Sequence, residues 1–315
     1  MFAHVVETLR SSRGIAAKGD IAGVSRRLGF SAADTVRVGD DCAAIPDGDG
    51  YLLLAIEGFI NEFVAADPWF AGWCGVMVNI SDIAAMGGRP IAVVDAIWTA
   101  GEAAADPILQ GLRAASETFA VPLVGGHTNL RTDRSQLSVA ILGRAKRLLT
   151  SFDAWPGERL VAAIDLRGRY RDPFPNWEAA TDAPAARLRG DLEILPRLAE
   201  AGLCRTAKDI SQGGIIGTAL MLAECSGVGL NIDLAAIPCP EQAPLDRWLQ
   251  TFPSFGYLLT AADAPAVIAR FAERDIAAAD IGAVTPDRTV RVTLGSDTDT
   301  IWDFSRQPLL GCGHA

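Results

Sequence analysis

The fold of this chain is decided by residues 79–90, which read NISDIAAMGGRP. Apolar residues in and before this stretch recur at the spacing of a buried helical stripe, namely Trp73, Val76, Met77, Ile80 and Ala84. The pattern predicts a helix over 67–86. Asn79 and Asp82 lie three residues apart on a different face of that helix, which we expect to be exposed. Such a pair is either an ordinary solvated face or part of a binding site.

The sequence after this helix predicts its end and a strand beyond it. Gly87 and Gly88 are suited to a left-handed helix cap, and Pro90 prevents the helix from continuing. The mostly apolar run 91–98 then predicts a buried strand.

Two more clusters carry groups that suit a nucleotide. Residues 38–45, VGDDCAAI, place Asp40 and Asp41 side by side, where like charges repel unless a cation or solvent separates them. Residues 121–129, VPLVGGHTN, end an apolar strand in two glycines whose backbone N–H groups can approach an anion closely. Together, the acidic clusters and the glycine turn are the groups that a site for one triphosphate needs.

The order of these motifs resembles the superfamily of aminoimidazole ribonucleotide synthetase, thiamine-monophosphate kinase, selenophosphate synthetase and the hydrogenase-maturation dehydratase. The segments that carry the resemblance are GDD at 39–41, NISDIAAMG at 79–87, GGHT at 125–128, KDISQGGI at 208–215, FGYLLT at 255–260 and IGAVT at 281–285. Each is common alone, but the full order is specific and extends over nearly the whole chain.

The resemblance implies a site for ATP and Mg²⁺. It implies four metal ligands, Asp40, Asp41, Asp82 and Asp209. It implies that ATP contacts Lys18, Asp41, Asn79, Asp82, Gly125, Gly126, Thr128 and Asp209. Carboxylates and phosphate oxygens satisfy magnesium, so no cage of His or Cys is required.

Two residues are candidates for a catalytic role. Relatives carry a mobile N-terminal segment at the site, and 13–20 is the matching loop here, with Lys18 as a point charge on a phosphate. The alternative is a solvated loop lysine before a helix capped by Asp20. His127 can bond a phosphate or act as an acid or base near neutral pH, or it can be a turn histidine that packs its ring on the following loop.

The central part of the chain most resembles thiamine-monophosphate kinase, but it departs from that branch at several acidic positions. Apolar Leu52-Leu53 stand where that branch has an Asp, and His127 and Gln212 replace two further acids. Phosphoryl transfer depends on metal neutralising the developing charge, so these losses argue against thiamine-monophosphate kinase activity. Glu57, after the run 51–56, either touches substrate or caps the next element.

Length and periodicity predict two mixed α/β domains. A chain of 315 residues with 50% hydrophobic residues exceeds one comfortable core, and we expect domains at 1–147 and 155–315. Helices are predicted at 2–9, 67–86, 106–119, 187–201 and 214–226, strands at 51–56, 91–98, 136–143, 159–164, 228–232 and 257–260, and a long loop at 167–184. The resemblance implies that the N-terminal domain forms a barrel-like sheet across a homodimer.

Composition excludes several classes of function. A net charge of −10 and a pI near 4.8 argue against a nucleic-acid surface. No apolar stretch reaches the roughly 18 residues of a membrane helix, and the first residues do not resemble a signal peptide. Six cysteines without paired spacing predict free thiols in a reducing compartment, so we expect a cytoplasmic protein. We expect Cys312 to be an incidental thiol on a frayed tail, and the alternative is a working cysteine like the one that the resemblance implies near the C-terminus of the hydrogenase-maturation dehydratase.

The sequence therefore predicts an enzyme that uses ATP and Mg²⁺ to activate a small molecule by phosphoryl transfer. One alternative is thiamine-monophosphate kinase. Another is a nucleotide-binding regulatory protein that has kept the phosphate site and lost turnover.

Overall fold

The computed structural model describes residues 2–31 and 33–312, which divide into two compact units. One comprises Met1–Asp41, Leu148–Asp182 and Arg197–Ala315, and is called the seven-stranded unit. The other comprises Cys42–Arg147 and Ala183–Pro196, and is called the five-stranded unit. The predicted domains at 1–147 and 155–315 stay a prediction.

The described residues form α-helices and β-strands that alternate along most of the chain. The helices are α1 Phe2–Arg10, α2 Arg13–Leu28, α3 Asn61–Ala66, α4 Pro68–Ala85, α5 Glu102–Phe119, α6 Ala185–Leu192, α7 Ile194–Glu200, α8 Gly214–Ser226, α9 Leu245–Trp248 and α10 Ala264–Ala272. The strands are β1 Ala43–Asp47, β2 Gly50–Gly58, β3 Arg89–Ala100, β4 Leu123–Asn129, β5 Arg131–Ala145, β6 Arg159–Ile164, β7 Arg169–Arg171, β8 Asn176–Glu178, β9 Thr206–Asp209, β10 Gly229–Asp233, β11 Gly256–Ala261, β12 Ala277–Thr285, β13 Thr289–Leu294 and β14 Asp297–Asp303.

The five-stranded unit is a sheet covered by helices on one face. Its strand order is β1-β2-β5-β3-β4, and only β3 and β4 run parallel among these pairs. Helices α4 and α5 pack on each other through two glycines. A Cβ on Gly72 would fall 2.1 Å from the carbonyl oxygen of Ile108, and one on Gly111 would fall 1.9 Å from that of Trp69. Side chains at these two positions would force the helices apart.

The other face of this sheet is apolar and exposed. Leu53 and Ala55 of β2 are buried, whereas Leu54 and Ile56 between and after them are 48% and 70% exposed. Leu54 pairs with Leu142 across the β2–β5 ladder, so the two side chains share that face. For the run 91–98, the prediction of a strand is confirmed, but the predicted burial is wrong, because Ile91 and Val94 are exposed in this chain.

The seven-stranded unit is built on a larger mixed sheet. Its order is β14-β13-β10-β12-β6-β11-β9, with β10 and β13 parallel and the other pairs antiparallel. Its core joins this sheet to α8, a helix whose side chains are almost all buried. Strand β9 ends at Asp209, and α8 begins five residues later. This connection carries the KDISQGGI motif.

Most of the predicted elements are present, and the predicted mixed α/β fold is confirmed. The predicted end of helix α4 is also confirmed, since Gly87 has a φ of +72° and Gly88 N donates to the carbonyl of Ile83. No helix in the described part of the chain combines the length and apolar character needed to span a membrane.

Three further sequence-based predictions differ from the structure. The expected loop at 13–20 is the start of α2, which Ser12 caps by accepting from the N–H of Ile15, so Asp20 caps no helix. The single helix predicted over 187–201 is two helices, because Pro196 is tolerated in the first turn of α7 but not inside a longer helix. The predicted loop at 167–184 contains the hairpin β7–β8.

Candidate functional site

Residues 39–41, here called the Gly-Asp-Asp turn, are held by partners distant in sequence. Oδ2 of Asp40 accepts from the backbone N–H of Ser151 at 2.8 Å, and its Oδ1 accepts from the Ser151 hydroxyl at 2.7 Å. Oδ1 also accepts from the N–H of Asp41 at 3.0 Å. Both oxygens of Asp40 therefore stabilise the turn itself, and its role as a metal ligand stays a prediction.

Burial dominates the electrostatics of Asp40. Burial, and to a smaller extent the neighbouring Asp41 charge, outweigh the opposing Lys208 charge, and together these effects raise the pKa of this carboxyl to about 6. The two bonds from Ser151 lower the pKa, but by less than burial raises it. Near neutral pH the turn thus carries a carboxylate that is costly to ionise.

The Asp41 carboxylate accepts hydrogen bonds from two neighbouring residues of β9. Its Oδ1 accepts from Nζ of Lys208 at 2.5 Å, and its Oδ2 accepts from the backbone N–H of Asp209 at 3.1 Å. The Lys208 and Asp41 side chains are only 4% and 6% exposed. Burial lowers the pKa of Lys208, but the charges of Asp41 and Asp40 more than offset this, so the pKa lies above its ordinary value and the lysine is charged.

Asp209 lies at the end of β9, at the edge of the seven-stranded sheet, where it pairs with Tyr257 of β11. The residue is 1% exposed, and one of its carboxylate oxygens lies within 4.8 Å of one from Asp41. The chain then turns sharply at Gly214, whose φ is +67° and whose missing Cβ would fall 2.4 Å from the carbonyl oxygen of Leu249. The structure thus brings Asp41 and Asp209, two predicted metal ligands, to one place.

Lys18 lies on α2, on a half-exposed position rather than in a loop. The first turn of this helix contacts the KDISQGGI motif, since a Cβ on Gly14 would fall 2.2 Å from the carbonyl oxygen of Gln212. The predicted segment is therefore correctly placed against the motif, but as a helix. The contact of Lys18 with phosphate stays a prediction.

In the five-stranded unit, Asn79 and Asp82 lie on α4 and are 0% and 4% exposed. The prediction that this pair is exposed is therefore wrong. Asn79 Nδ2 donates to the carbonyls of Gly75 at 2.8 Å and Val139 at 3.0 Å, which binds the helix to strand β5 and compensates the burial of the amide. Among the described residues, no donor reaches its Oδ1.

The predicted glycine turn forms strand β4, an exposed strand at the edge of the five-stranded sheet. Its residues Gly125, Gly126, His127 and Thr128 are all exposed. The His127 ring lies 5.8 Å from that of Trp98, so it packs on the neighbouring strand β3. The alternative of a turn histidine that packs its ring on the following loop is therefore wrong, and the catalytic role of His127 stays a prediction.

Sequence reasoning missed two residues beside these motifs. Lys208 directly precedes Asp209 in the KDISQGGI motif. In that motif, only Asp209 was predicted to have a role. Asp95 is the one charge in the apolar run 91–98, and a Cβ on Gly126 would fall 2.4 Å from its Oδ1. Burial raises the pKa of the Asp95 carboxyl above its ordinary value. A charge inside an apolar strand was the signal that would have identified Asp95.

The donor set of the Asp41–Asp209 pair fits a hard divalent cation. Carboxylate oxygens are the ligands that Mg²⁺ prefers, and this cation needs few of them, because it keeps waters and phosphate oxygens in its shell. Two carboxylates that approach within 4.8 Å in a buried place repel each other unless a cation compensates them.

Comparison with known proteins assigns the family. Residues 39–145 match the N-terminal domain of AIR synthase related proteins, and 178–295 match the C-terminal domain. The uncharacterised protein sll0787 of Synechocystis sp. is 47% identical, over 99% of this chain and 98% of its own. Thiamine-monophosphate kinase of Pyrococcus abyssi is 29% identical over 65% of this chain and 68% of its own.

Solved structures share the fold. PurL of Thermotoga maritima complexed with ATP superimposes with a TM-score of 0.70 at 20% identity, covering 86% of this chain and 46% of PurL. This chain thus spans about half of PurL. Members of the family are ATP-dependent kinases and synthetases, and the homologues include thiamine-monophosphate kinase, PurL and selenide, water dikinase. With both family domains matched in order, the chain belongs to the AIR synthase-related protein family.

Proposed function

We propose that this protein is an enzyme that uses ATP and Mg²⁺ to activate a small molecule by phosphoryl transfer to an oxygen or similar atom. The observation that carries the proposal is the buried pairing of Asp41 with Asp209 in the segments that match the family. Two proteins with this fold support the nucleotide: PurL of Thermotoga maritima has been solved with ATP, and AaThiL has been solved with AMPPCP and TMP.

In this proposal Asp41 and Asp209 hold the magnesium, and the family resemblance implies Asp82 as a third ligand. When bound, Mg²⁺ neutralises the charge that develops on the phosphates during transfer. Asp40 and Ser151 fix the backbone that presents Asp41, and Asn79 offers its Oδ1 to the nucleotide or to water at the metal. The backbone N–H groups at Gly125 and Gly126, with the Thr128 hydroxyl, bind phosphate oxygens. Lys18 and His127 are the candidates for contact with the reacting groups.

The test of this proposal is Asp82→Asn, which removes a negative charge and changes the side-chain shape little. We expect calorimetry to find Mg·ATP bound at least about tenfold more weakly than by the natural protein, because a neutral amide is a poor magnesium ligand. Asp106→Asn, an exposed aspartate of α5, is the matched control. Equal affinity in all three proteins would refute the proposal.

Turnover is tested separately, by ADP release against a panel of small metabolites. Thiamine monophosphate belongs in that panel because a thiamine-monophosphate kinase is among the homologues. The chain lacks three acids that the resemblance implies for that kinase branch, at Leu52-Leu53, His127 and Gln212, and their loss argues against thiamine monophosphate as the acceptor. If Mg·ATP binds and no acceptor in the panel releases ADP, the non-catalytic alternative, a nucleotide-binding regulator, is favoured.

We also propose a homodimer formed through the exposed apolar face of the five-stranded sheet. The ladders place Leu54 against Leu142, and both Ile56 and Val94 against Ala140. A continuous apolar face of this kind is a typical protein–protein interface. The resemblance implies the same arrangement, a barrel-like sheet shared by two copies.

Light scattering tests the dimer. We expect twice the chain mass at micromolar concentration, and a monomer for Ile56→Arg, since the arginine places a charge in the interface. Leu109→Arg changes an exposed leucine of α5, 42% exposed, in the same way and is expected to leave the dimer intact. A natural protein that is monomeric would exclude this arrangement.

For location we propose the cytoplasm, where the six free thiols would stay reduced.

A further inference from the structure

Lys208 is a buried cation that the proposed function does not use. The residue lies on β9, 3% exposed, and its ammonium is fixed to Oδ1 of Asp41 at 2.5 Å. It also interacts electrostatically with Asp40. The chain has only three lysines, at 18, 146 and 208, and this one alone is buried.

The stability of the fold does not explain this lysine. Removing a lysine and a carboxylate from water costs about as much as their attraction returns, so a buried ion pair generally adds little to stability compared with apolar residues of the same size. The pair involves one of the two carboxylates that we propose as metal ligands in this unit. Its location therefore suggests a role in the charge of the site.

Lys208 changes what Asp41 can bind. The turn and the end of β9 carry three carboxylates, on Asp40, Asp41 and Asp209, and the lysine compensates one of these negative charges. A divalent cation that approaches Asp41 meets a fixed positive charge on the same carboxylate, in a buried place where water screens it poorly. The lysine therefore weakens the attraction of this cation to Asp41, and additional negative charge that arrives with the cation offsets the loss.

We propose that Lys208 is a built-in counter-cation that weakens the binding of a divalent ion alone at Asp41, so that the ion is bound tightly only together with a polyphosphate. Lys208 is thus a positioning residue that acts through Asp41: it orients Oδ1 and sets the order of binding. The inference rests on the proposed function, since it assumes that Asp41 is a metal ligand.

The experiment measures Mn²⁺ binding to the full chain without nucleotide, by the EPR signal of free Mn²⁺. We expect weak binding by the natural protein and at least about tenfold tighter binding by Lys208→Met, which keeps the length of the side chain and removes the charge. Lys208→Arg keeps the charge and is expected to bind as weakly as the natural protein. Lys146→Met makes the same change of net charge at an exposed lysine and controls for it.

Folding is checked for every variant by circular dichroism. Lys208→Gln retains a hydrogen-bond donor for Asp41 without charge, and it replaces Lys208→Met in the comparison if the methionine variant is unfolded. The same expectation applies to it, tighter Mn²⁺ binding than in the natural protein. Mn²⁺ affinity that is unchanged or weaker in the neutral variant would overturn the role of Lys208.

A parallel titration with Mg·ATP separates this inference from the proposed function. If Asp41→Asn binds Mg·ATP more weakly than the natural protein, the proposed function stands and the Mn²⁺ result alone decides the role of Lys208. If Asp41→Asn binds Mg·ATP as the natural protein does, Asp41 is not a metal ligand, and both the proposal and this inference fail.

Discussion

The two acidic motifs of this protein are held in place by different means. On α4, Asn79 bonds to its own helix at Gly75 and to the adjoining strand at Val139. In the Gly-Asp-Asp turn, Asp40 and Asp41 depend on Ser151, Lys208 and Asp209, which lie more than a hundred residues further along the chain. The helical motif is placed largely by its own backbone, whereas the turn is placed by the folded unit around it.

This difference has an energetic consequence. The contacts of Asn79 are bonds from a neutral amide to backbone carbonyls, and each contributes modestly to stability. Asp41 instead takes part in a buried ion pair, and losing either partner leaves an uncompensated charge away from water. The turn should therefore be the more sensitive of the two motifs to substitution, and this expectation can be tested directly.

The largest effect is expected for Asp41→Asn. The change leaves the Lys208 ammonium buried without its carboxylate, which should lower the free energy of unfolding by about 3–5 kcal/mol. Urea unfolding in the absence of divalent ions measures it. Asp299→Asn removes the partner of Arg10 in an exposed pair, and we expect it to cost no more than about 1 kcal/mol. Equal costs for the two variants would contradict the comparison.

A double variant makes the same test sharper. Adding Lys208→Met to Asp41→Asn removes the stranded charge, so much of the lost stability should return. If the two substitutions are additive instead, the buried pair is not the source of the sensitivity.

A smaller effect is expected for Asn79→Ala. The variant loses the donors to Gly75 and Val139 and creates a small cavity, and we expect a loss of about 1–3 kcal/mol in the free energy of unfolding, again by urea. Val78→Ala, the preceding residue on α4 and only half-buried, controls for truncation of a side chain on this helix. A loss for Asn79→Ala larger than that for Asp41→Asn would reverse the ranking of the two motifs.

The same difference explains what could be predicted from the sequence. Helix α4, its glycine cap and the strands β2, β3 and β5 follow from apolar periodicity and local turn chemistry, so the sequence contains them directly. The exposure of Asn79 and Asp82 was predicted wrongly, because periodicity identifies a polar face but not whether the tertiary structure buries it.

Partners brought together by folding had no local signal. Nothing near Lys208 indicated that it meets Asp41, since the two are 167 residues apart. Ser151, which holds Asp40, stands in an unremarkable segment. The start of α2 was missed because Gly14 and Gly19 weaken a helical pattern, although Ser12 was available as its cap. The order of the motifs predicts the acids of the candidate site, whereas the residues that support them are brought in only by the fold.

The smallest of the expected effects concerns pH and tests the turn alone. Burial raises the pKa of Asp40 to about 6 from an ordinary value of 3.8, so the folded protein holds its proton more tightly than the unfolded chain. Stability from this group is therefore complete below pH 3.8 and is lost as pH rises through 6. Between about pH 5 and 7, the natural protein should lose on the order of 1 kcal/mol relative to Asp40→Asn, which cannot titrate.

Urea unfolding at several pH values in that window, with EDTA present, measures this difference. Asp299 is the control, because its hydrogen bond with Arg10 holds the pKa of that carboxyl below its ordinary value, so it stays ionised throughout the window. Asp299→Asn should therefore follow the pH dependence of the natural protein. A difference between Asp40→Asn and the natural protein that is constant across the window would mean that Asp40 is ionised at little cost.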